Sequence, residues 1–507
     1  MFSSSIVLIT RGILPSRPVS TVFSAFERAA AVHGAKPFLA MPSWKVELTY
    51  MQALERAASA AARYRALGYG PGHRVALQLE NRPEFLLHFL ALNSLGVSVV
   101  PLNPDYRESE LRYILEHSEA SAVITAHTLE SLPKPGRPVG ATECALLYTS
   151  GTTGKPKGCL LSNFYFLNVG QRYLDEGGLC AVRPGEERLI TPLPFFHMNA
   201  LAVSTTAMML SGGCLVQLDR FHPRTWWRDV AISGATIVHY LGVMPAVLLS
   251  FAEKHPAHRV RFGFGANANP KDHAAFEARF GFPLIEAWAM TETGGGAMIA
   301  ASREPRHVGT RCIGFPGKDM DLKIDESGEL LVRQAGADPR RGFFSGYLKD
   351  DAATEHAWRD GWFHTGDSVR RGPDGALHFV DRLKNIIRRA GENIAALEVE
   401  AALAGHPAIA QAAVIAVPDP LRDEEVMACV VLQPEQSASR DIAISIQDWC
   451  LERLAYFKAP GHVAFVDSLP TTATNKVQKA KLADFAFNAA DTFDLRERKK
   501  RTAAKSL

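Results

Sequence analysis

The tightest constraint on this chain is an alternation of helix-length and strand-length segments that begins at Leu48. "TYMQALERAASAAARYRALGYGPG" opens with Thr49 and Gln52 at capping-box spacing and closes at Gly68, where a left-handed cap is usual, so a helix is expected there. "RVALQLE" reads as a strand, "PEFLLHFLALNSLG" as a helix with Pro83 in its first turn, "VSVVPLN" as a buried strand and "SELRYILEHSE" as an amphipathic helix ahead of "SAVIT". The alternation resumes at "RLITPL", "CLVQL", "TIVHYLG", "RFGFG" and "PLIEAWAM". Such a rhythm folds into parallel sheet covered by helices, which makes the expected class α/β.

At 507 residues the chain is too long for one core, and its texture changes twice. Near 320, "MDLKIDESGELLVRQ" and "DSVRRGPDGALHFVD" look like hairpins turning at Glu326-Ser327-Gly328 and Pro373-Asp374-Gly375, a β-rich subdomain of the large part. After "DRLKN" (381–385) a smaller α+β pattern follows. The expected division is a domain at 1–380, a connection at 381–385, a domain at 386–485 and a basic tail at 486–507. The tail's "RERKKR" is read as a solvated, frayed end and not as a nucleic-acid site.

Composition narrows the class. Hydrophobic residues make up 47% and charged residues 21%, as in ordinary globular proteins, and a formal charge of +3 argues against a strongly electrostatic partner such as nucleic acid. The seven cysteines are scattered without a C-x-x-C pair, which opposes a disulfide framework or zinc site and suggests a reducing cytoplasm. The opening "MFSSSIVLITRGILPSRP" makes a poor secretory signal, and no apolar run approaches the ~20 residues of a spanning helix.

The chemistry begins at "LLYTSGTTGKPKG" (146–158), where an apolar strand gives way to hydroxyls, glycines and lysines. Glycines let backbone approach a phosphate, hydroxyls and exposed N–H groups donate without bulk, and Lys155 and Lys157 add charge. The order is not G-x-x-x-x-G-K-[ST], since Pro156 stands where a helix should begin, so a P-loop kinase or GTPase is disfavoured. A plain Gly/Ser linker would seldom carry this ordered set after a buried strand.

Four further motifs follow in order: "LPFFHMNA" (193–200), "EAWAMTET" (286–293), "GWFHTGD" (361–367) and "LPTTATNKVQKAKL" (469–482). Together they resemble the adenylate-forming superfamily of acyl- and aryl-CoA synthetases, peptide-synthetase adenylation domains and beetle luciferases, most of all the carnitine/crotonobetaine-CoA ligase branch. The resemblance implies a large adenylation domain and a small mobile lid. It assigns ATP to Thr149, Ser150, Gly151, Thr152, Thr153, Gly154 and Lys157, with Gly265, Ala266, Ala287 and Trp288 bordering adenine, Thr291 on a phosphate, and Asp367 and Arg382 on the ribose.

Glu292 is implied as the Mg²⁺ ligand, His197 borders the carboxylate, Lys476 is the catalytic lysine, Lys384 the hinge, and Gly391 and Glu392 in "RRAGENIAALEVE" line the coenzyme A tunnel. The sequence departs from the family pattern at Trp288, at Ala289, at Asn267 in place of a common proline, and at Asn475 in place of glycine.

The implied reaction joins a carboxylic acid to AMP with loss of pyrophosphate and then transfers the acyl group to coenzyme A. Expected pocket-wall residues are His197, His239, Tyr240, Leu241, Gly263, Trp288, Gly294, Gly295 and Met298, with the glycines leaving room and the polar rings favouring a short or ring-containing polar acid. An enzyme loading a carrier protein would share the ATP motifs, whereas a non-catalytic nucleotide-binding regulator should have lost Lys476 or Glu292. Oligomeric state is left open, a homodimer among the options.

Overall fold

The computed structural model describes residues 21–106, 108–149, 156–251, 255–389, 392–420, 422–471, 477–486 and 491–499. Contacts divide the chain into two compact units, Met1–Asp321 with Val332–Phe363, and Leu322–Leu331 with His364–Leu507.

The first unit carries the parallel sheets that the alternation predicts. Helix Tyr50–Ala66 starts at a capping box in which the Thr49 hydroxyl accepts from the Gln52 amide and the Gln52 side chain accepts from the Thr49 amide. Such a cap contributes about 1 kcal/mol. Tyr50, Ala53, Ala57, Ala61 and Tyr64 recur every three or four residues and form its buried stripe.

A six-stranded sheet runs Gly346–Tyr347, Lys157–Leu161, Ala145–Thr149, Ser98–Leu102, Arg74–Gln78, Ala122–Thr125. Its last four strands are parallel and its first two antiparallel.

The second sheet has eight strands: Ile299–Ala300, Leu284–Trp288, Phe262–Ala266, Ile237–Leu241, Arg188–Thr191, Cys214–Gln217, Pro37–Met41 and Val46–Thr49. All but the two edge strands are parallel, so their carboxyl ends emerge along one edge. Val238, Tyr240 and Leu284 on one face pack against Trp226, Met244, Phe276 and Phe282.

In the second unit, Glu392–Ala395, Ile386–Arg389, Asp423–Leu432, His462–Phe465 and Thr492–Asp494 form a sheet in that order, with Ile409–Asp419 also pairing with Asp423–Leu432. Helices Ala396–Leu403 and Arg440–Arg453 bury Val399, Leu403, Ile446 and Cys450 against it.

The expectation of a frayed end does not hold for 491–499. Thr492–Asp494 adds a strand beside His462–Phe465, Leu495 is 1% exposed in the core, and the Gln447 amide donates to its carbonyl over 2.9 Å. Arg496, Arg498 and Lys499 each face a carboxylate, so the described part of the basic run is neutralised in place. Among the described residues no helix is long and apolar enough to cross a membrane.

Candidate active site

Four strands of the eight-stranded sheet end in the residues that the motifs single out. Thr191 leads into the segment ending at His197, Leu241 ends the next strand, Gly265-Ala266 the third and Trp288 the fourth. The register sets Leu241 beside Ala266 and Gly265 beside Glu286. Carboxyl ends of parallel strands are where open α/β sheets bind ligands, because the chain there leaves the sheet and exposes backbone groups.

Glu286 locks one of these ends, a role the sequence reading missed. One of its carboxylate oxygens accepts from the Asn267 amide at 2.9 Å, and the other from the Ala268 amide at 3.0 Å and the Tyr240 hydroxyl at 2.6 Å. Burial pushes this carboxyl up, against the pull of those three donors. The turn it clamps holds Asn267 at φ +65°, a left-handed conformation closed to proline, whose ring fixes φ near −65°. The chain's departure from the family's proline therefore has a backbone reason. An acid inside an apolar strand, "LIEAW", was the available signal.

The glycine-rich loop closes a hairpin. Strands Ala145–Thr149 and Lys157–Leu161 are antiparallel with Thr149 opposite Lys157, so no helix begins after the loop, as Pro156 implies. Ser150, Gly151, Thr152, Thr153 and Gly154 lie outside the described residues.

At the loop's neck, Thr149 and Lys157 meet two residues from elsewhere. The Tyr347 hydroxyl donates to the Glu292 carboxylate over 3.0 Å, and the Thr149 hydroxyl reaches the same oxygen at 3.5 Å. The Lys157 ammonium lies 4.8 Å from the centre of the Tyr347 ring and 4.0 Å from Asp350.

Tyr347 was not foreseen; its strand is two residues long and carries no periodicity. Burial pushes its hydroxyl far above the ordinary range, so it remains a donor. One buried carboxylate beside a hydroxyl is a hard-oxygen set too sparse to cage a cation alone. It fits Mg²⁺, which keeps several waters and leans on substrate phosphates.

The expected acid wall does not form as one surface. Side chains alternate along a strand, so His239 and Leu241 face one side of the sheet, and Tyr240, Gly263, Gly265 and Trp288 the other. Tyr240 is buried in the core beneath Trp226 and Phe276, and a side chain at Gly263 would strike Leu284 at 2.7 Å.

His239 is also interior: Ser204 and Asn199 lie 2.9 and 3.0 Å from Nδ1, and the Tyr173 hydroxyl lies 3.1 Å from Nε2. Nor do Gly294 and Gly295 leave room. Added Cβ atoms would fall 2.2 Å from the Tyr165 ring and 2.8 Å from Val169, so these glycines press their turn against helix Asn163–Asp175. Met298 is buried behind it.

His197, by contrast, is partly exposed and lies beside Phe196, the two rings tilted to each other with centres 4.8 Å apart. Its segment is held by Asn81, buried and unforeseen, which accepts from the Phe195 amide at 2.9 Å and donates to the carbonyls of Leu193 and Leu218. A π-helix, Asn199–Ser204, follows. Such distortions recur at functional sites.

Burial pulls the His239 imidazole from 6.5 down to about 3. A histidine held neutral contributes its full stability above its free value and loses it as pH falls from 6.5 toward 3, because the unfolded chain takes up the proton first. Between pH 6 and 4, His239 should remove up to about 1.4 kcal/mol of stability per pH unit. Urea unfolding across this range should give a shallower pH slope for His239→Gln than for the wild type; equal slopes would refute the assignment.

In the second unit, Asp367 and Arg382 are cross-strand partners, with Arg382 Nε 2.6 Å from the Asp367 carboxylate. Asp367 is 2% exposed, and its backbone is set by Thr365, whose hydroxyl accepts from the Asp367 amide and donates to Leu330. An acceptor carboxylate beside a guanidinium can engage both hydroxyls of a ribose.

The short 3₁₀ turn Leu383–Asn385 contains Lys384. Asp381 grips this turn, accepting from the Arg382 amide and Asn385 Nδ2 with one oxygen and from the Leu397 amide, at the start of the next helix, with the other.

Glu392 starts the second strand of the hairpin Ile386–Arg389/Glu392–Ala395, and Gly391 lies outside the described residues. Lys476 lies outside them as well, but its flank is fixed. Val477 bridges to Thr471, and Gln478 bonds Pro470 and Thr471.

Residues 26–142 and 130–348 match the AMP-binding enzyme family, and 398–476 match the AMP-binding enzyme C-terminal domain. Similar proteins include a sulfoacetate–CoA ligase from Cupriavidus necator, 31% identical over 93% of this chain and 100% of that one. A crotonobetaine/carnitine–CoA ligase from Proteus mirabilis is 27% identical over 86% of this chain and 93% of that one.

Among solved structures, the o-succinylbenzoate CoA synthetase of Bacillus subtilis in complex with its acyl-adenylate intermediate shares the fold. Its TM-score is 0.79 at 24% identity, covering 90% of this chain and 97% of that one. With both domains matched and the carboxyl-edge site built from the same motifs, the chain belongs to the AMP-binding, adenylate-forming enzyme family.

Proposed function

We propose that this protein is an ATP-dependent carboxylic acid–CoA ligase, which joins an acid to AMP with release of pyrophosphate and then passes the acyl group to coenzyme A with release of AMP. The observation that carries this reading is the convergence of Glu292, Thr149, Tyr347 and Lys157 at the neck of the glycine-rich hairpin.

In the first half-reaction the acid's carboxylate attacks the α-phosphorus of ATP, and pyrophosphate leaves. Thr149 and Lys157 bind the phosphates, and Gly265 and Ala266 with Trp288 border the base. Bound at Glu292, Mg²⁺ would supply charge stabilisation on the phosphate oxygens.

His197 and Leu241 at the strand ends face the acid. In the second unit, Asp367 and Arg382 take the ribose. Lys476 offsets charge on the α-phosphate as a compact, mobile cation.

The C-terminal lid, residues 386–485, turning at 381–385, then withdraws Lys476 and presents the hairpin 386–395 to the incoming thiol. Attack of the thiol on the acyl carbonyl forms the thioester and expels AMP.

Relatives named for sulfoacetate and for crotonobetaine or carnitine support a short polar acid over a long aliphatic one. A cytoplasmic location goes with the reading, and a homodimer is tested by sedimentation.

AMP release should depend on coenzyme A and on one member of a panel of short, betaine-type, aromatic and dicarboxylic acids. Pyrophosphate exchange with no CoA turnover on any acid would point instead to a carrier-protein acceptor. Absence of both would sink the enzyme reading.

A further inference from the structure

The segment 491–499 lies beyond the residues that match the family, yet it ends in an ion pair whose two side chains are both fully buried. The Lys499 ammonium sits 2.5 Å from one oxygen of Glu425 and 3.1 Å from the Phe457 carbonyl, and both side chains are fully buried. The other Glu425 oxygen is 2.8 Å from Arg389 Nε, and Arg389 is itself 5% exposed.

The neighbouring Glu424 accepts from the Arg388 amide at 2.6 Å. Two consecutive carboxylates therefore grip the end of strand Ile386–Arg389, and one of them is shared with Lys499. Arg389 pairs in register with Glu392 across the hairpin and with Asp423 on the other side.

Three features show that the segment is built into this cluster. Gln447, wholly buried, donates to the Leu495 carbonyl and the Pro460 carbonyl and accepts from Arg498. Arg496 pairs with the buried Asp419 at 2.8 Å. Gly461 has no space for a side chain, since a Cβ would lie 2.5 Å from Glu425 and 3.0 Å from Arg496.

Two cations share one carboxylate at Glu425. Burial draws the Lys499 ammonium down to about 8, against the pull of Glu425. A shared buried carboxylate couples its partners, because displacing one changes the field and geometry at the other.

We infer that Lys499, acting through Glu425 and Arg389, is a positioning residue that sets the hairpin 386–395 for the thiol half-reaction. The C-terminal segment thus tunes coenzyme A use without taking part in adenylation. This inference rests on the ligase reading above, in which that hairpin faces the thiol.

The test is the full-length Lys499→Met variant, assayed separately for pyrophosphate release and for thioester formation from supplied acyl adenylate. Pyrophosphate release should stay within about twofold of wild type, while KM for coenzyme A rises about tenfold, the size expected for loss of a coupled partner in a buried network. Amide hydrogen exchange should quicken across 386–395 and remain unchanged across 409–419.

A folded variant with unchanged KM, or with both half-reactions reduced equally, would overturn the inference, since a merely structural lysine weakens both together. Should Lys499→Met fail to fold, Lys499→Gln, which removes the charge that Glu425 pairs with, carries the same comparison. A wild-type chain that makes adenylate but never a CoA thioester refutes the ligase reading instead. The exchange measurement at 386–395 then decides the coupling alone.

Discussion

Glu292→Gln should reduce pyrophosphate release by about 10²–10³-fold, the loss typical when one preorganised electrostatic contact to a reacting centre is removed. The side chain is 7% exposed and already held by Tyr347 and Thr149, so the amide occupies the same place and only the charge is lost. Buried and hydrogen-bonded, the carboxylate has little freedom to lose on binding a cation.

Tyr347→Phe leaves the charge but removes the shorter of the carboxylate's two hydroxyl contacts. Its loss should be smaller, about tenfold, in line with about 1.5 kcal/mol for a hydrogen bond to a charged group. Raising Mg²⁺ should recover part of the Tyr347→Phe activity and little of the Glu292→Gln activity. Pyrophosphate release measured against Mg²⁺ concentration separates the two, and a Glu292→Gln enzyme within threefold of wild type would exclude Glu292 from the phosphate site.

The parts of this site that were legible in the sequence are those fixed by local rules. Thr49 and Gln52 announce their helix because capping is a matter of spacing, and Pro156 argues against a P-loop because it stands where that loop's helix would begin, and the structure has a strand there. Asp367 and Arg382 stand out as motif residues, and the strand register makes them neighbours.

What was not legible depends on which face of a strand a residue occupies and on what packs there from far along the chain. Tyr240 and His239 are adjacent in sequence yet belong to opposite faces, and nothing in "TIVHYLG" says which face meets a cavity. Gly294 and Gly295 look like empty space in a sequence. The helix bearing Tyr165 and Val169 fills that space.

Tyr347 and Asn81 reach their partners from 55 and 114 residues away, and neither sits in a periodic run. The stretch 491–499 misled because a run of like charges normally stays in water; here Asp419 and Glu425 on strands and Asp448 on a helix pair with its basic residues.

Lys476→Ala should abolish acyl-adenylate formation, by about 10³-fold or more if the ammonium is the main counter-charge to the α-phosphate, and leave thioester formation from supplied acyl adenylate within a few-fold of wild type. The asymmetry follows from the chemistry: attack at phosphorus, with its crowded five-coordinate transition state, occurs only in the first step, while in the second a thiol attacks carbon and AMP departs. Thr471, Val477 and Gln478 fix the base of the segment that carries this lysine.

Lys384→Pro should give the reciprocal pattern. The turn Leu383–Asn385 takes its shape from Asp381, which binds the Arg382 amide, the Asn385 side chain and the Leu397 amide at once. A proline at 384 fixes one φ of that turn and would narrow the rotation proposed for the C-terminal lid. Adenylation, completed before that rotation, should persist, and thioester formation should fall by at least about tenfold if the turn gates the second step. Measured side by side, the two variants should therefore fail in opposite half-reactions. If both lose the same step, one site is not serving two chemistries through a turning unit, and the roles given to residues 384 and 476 fall together.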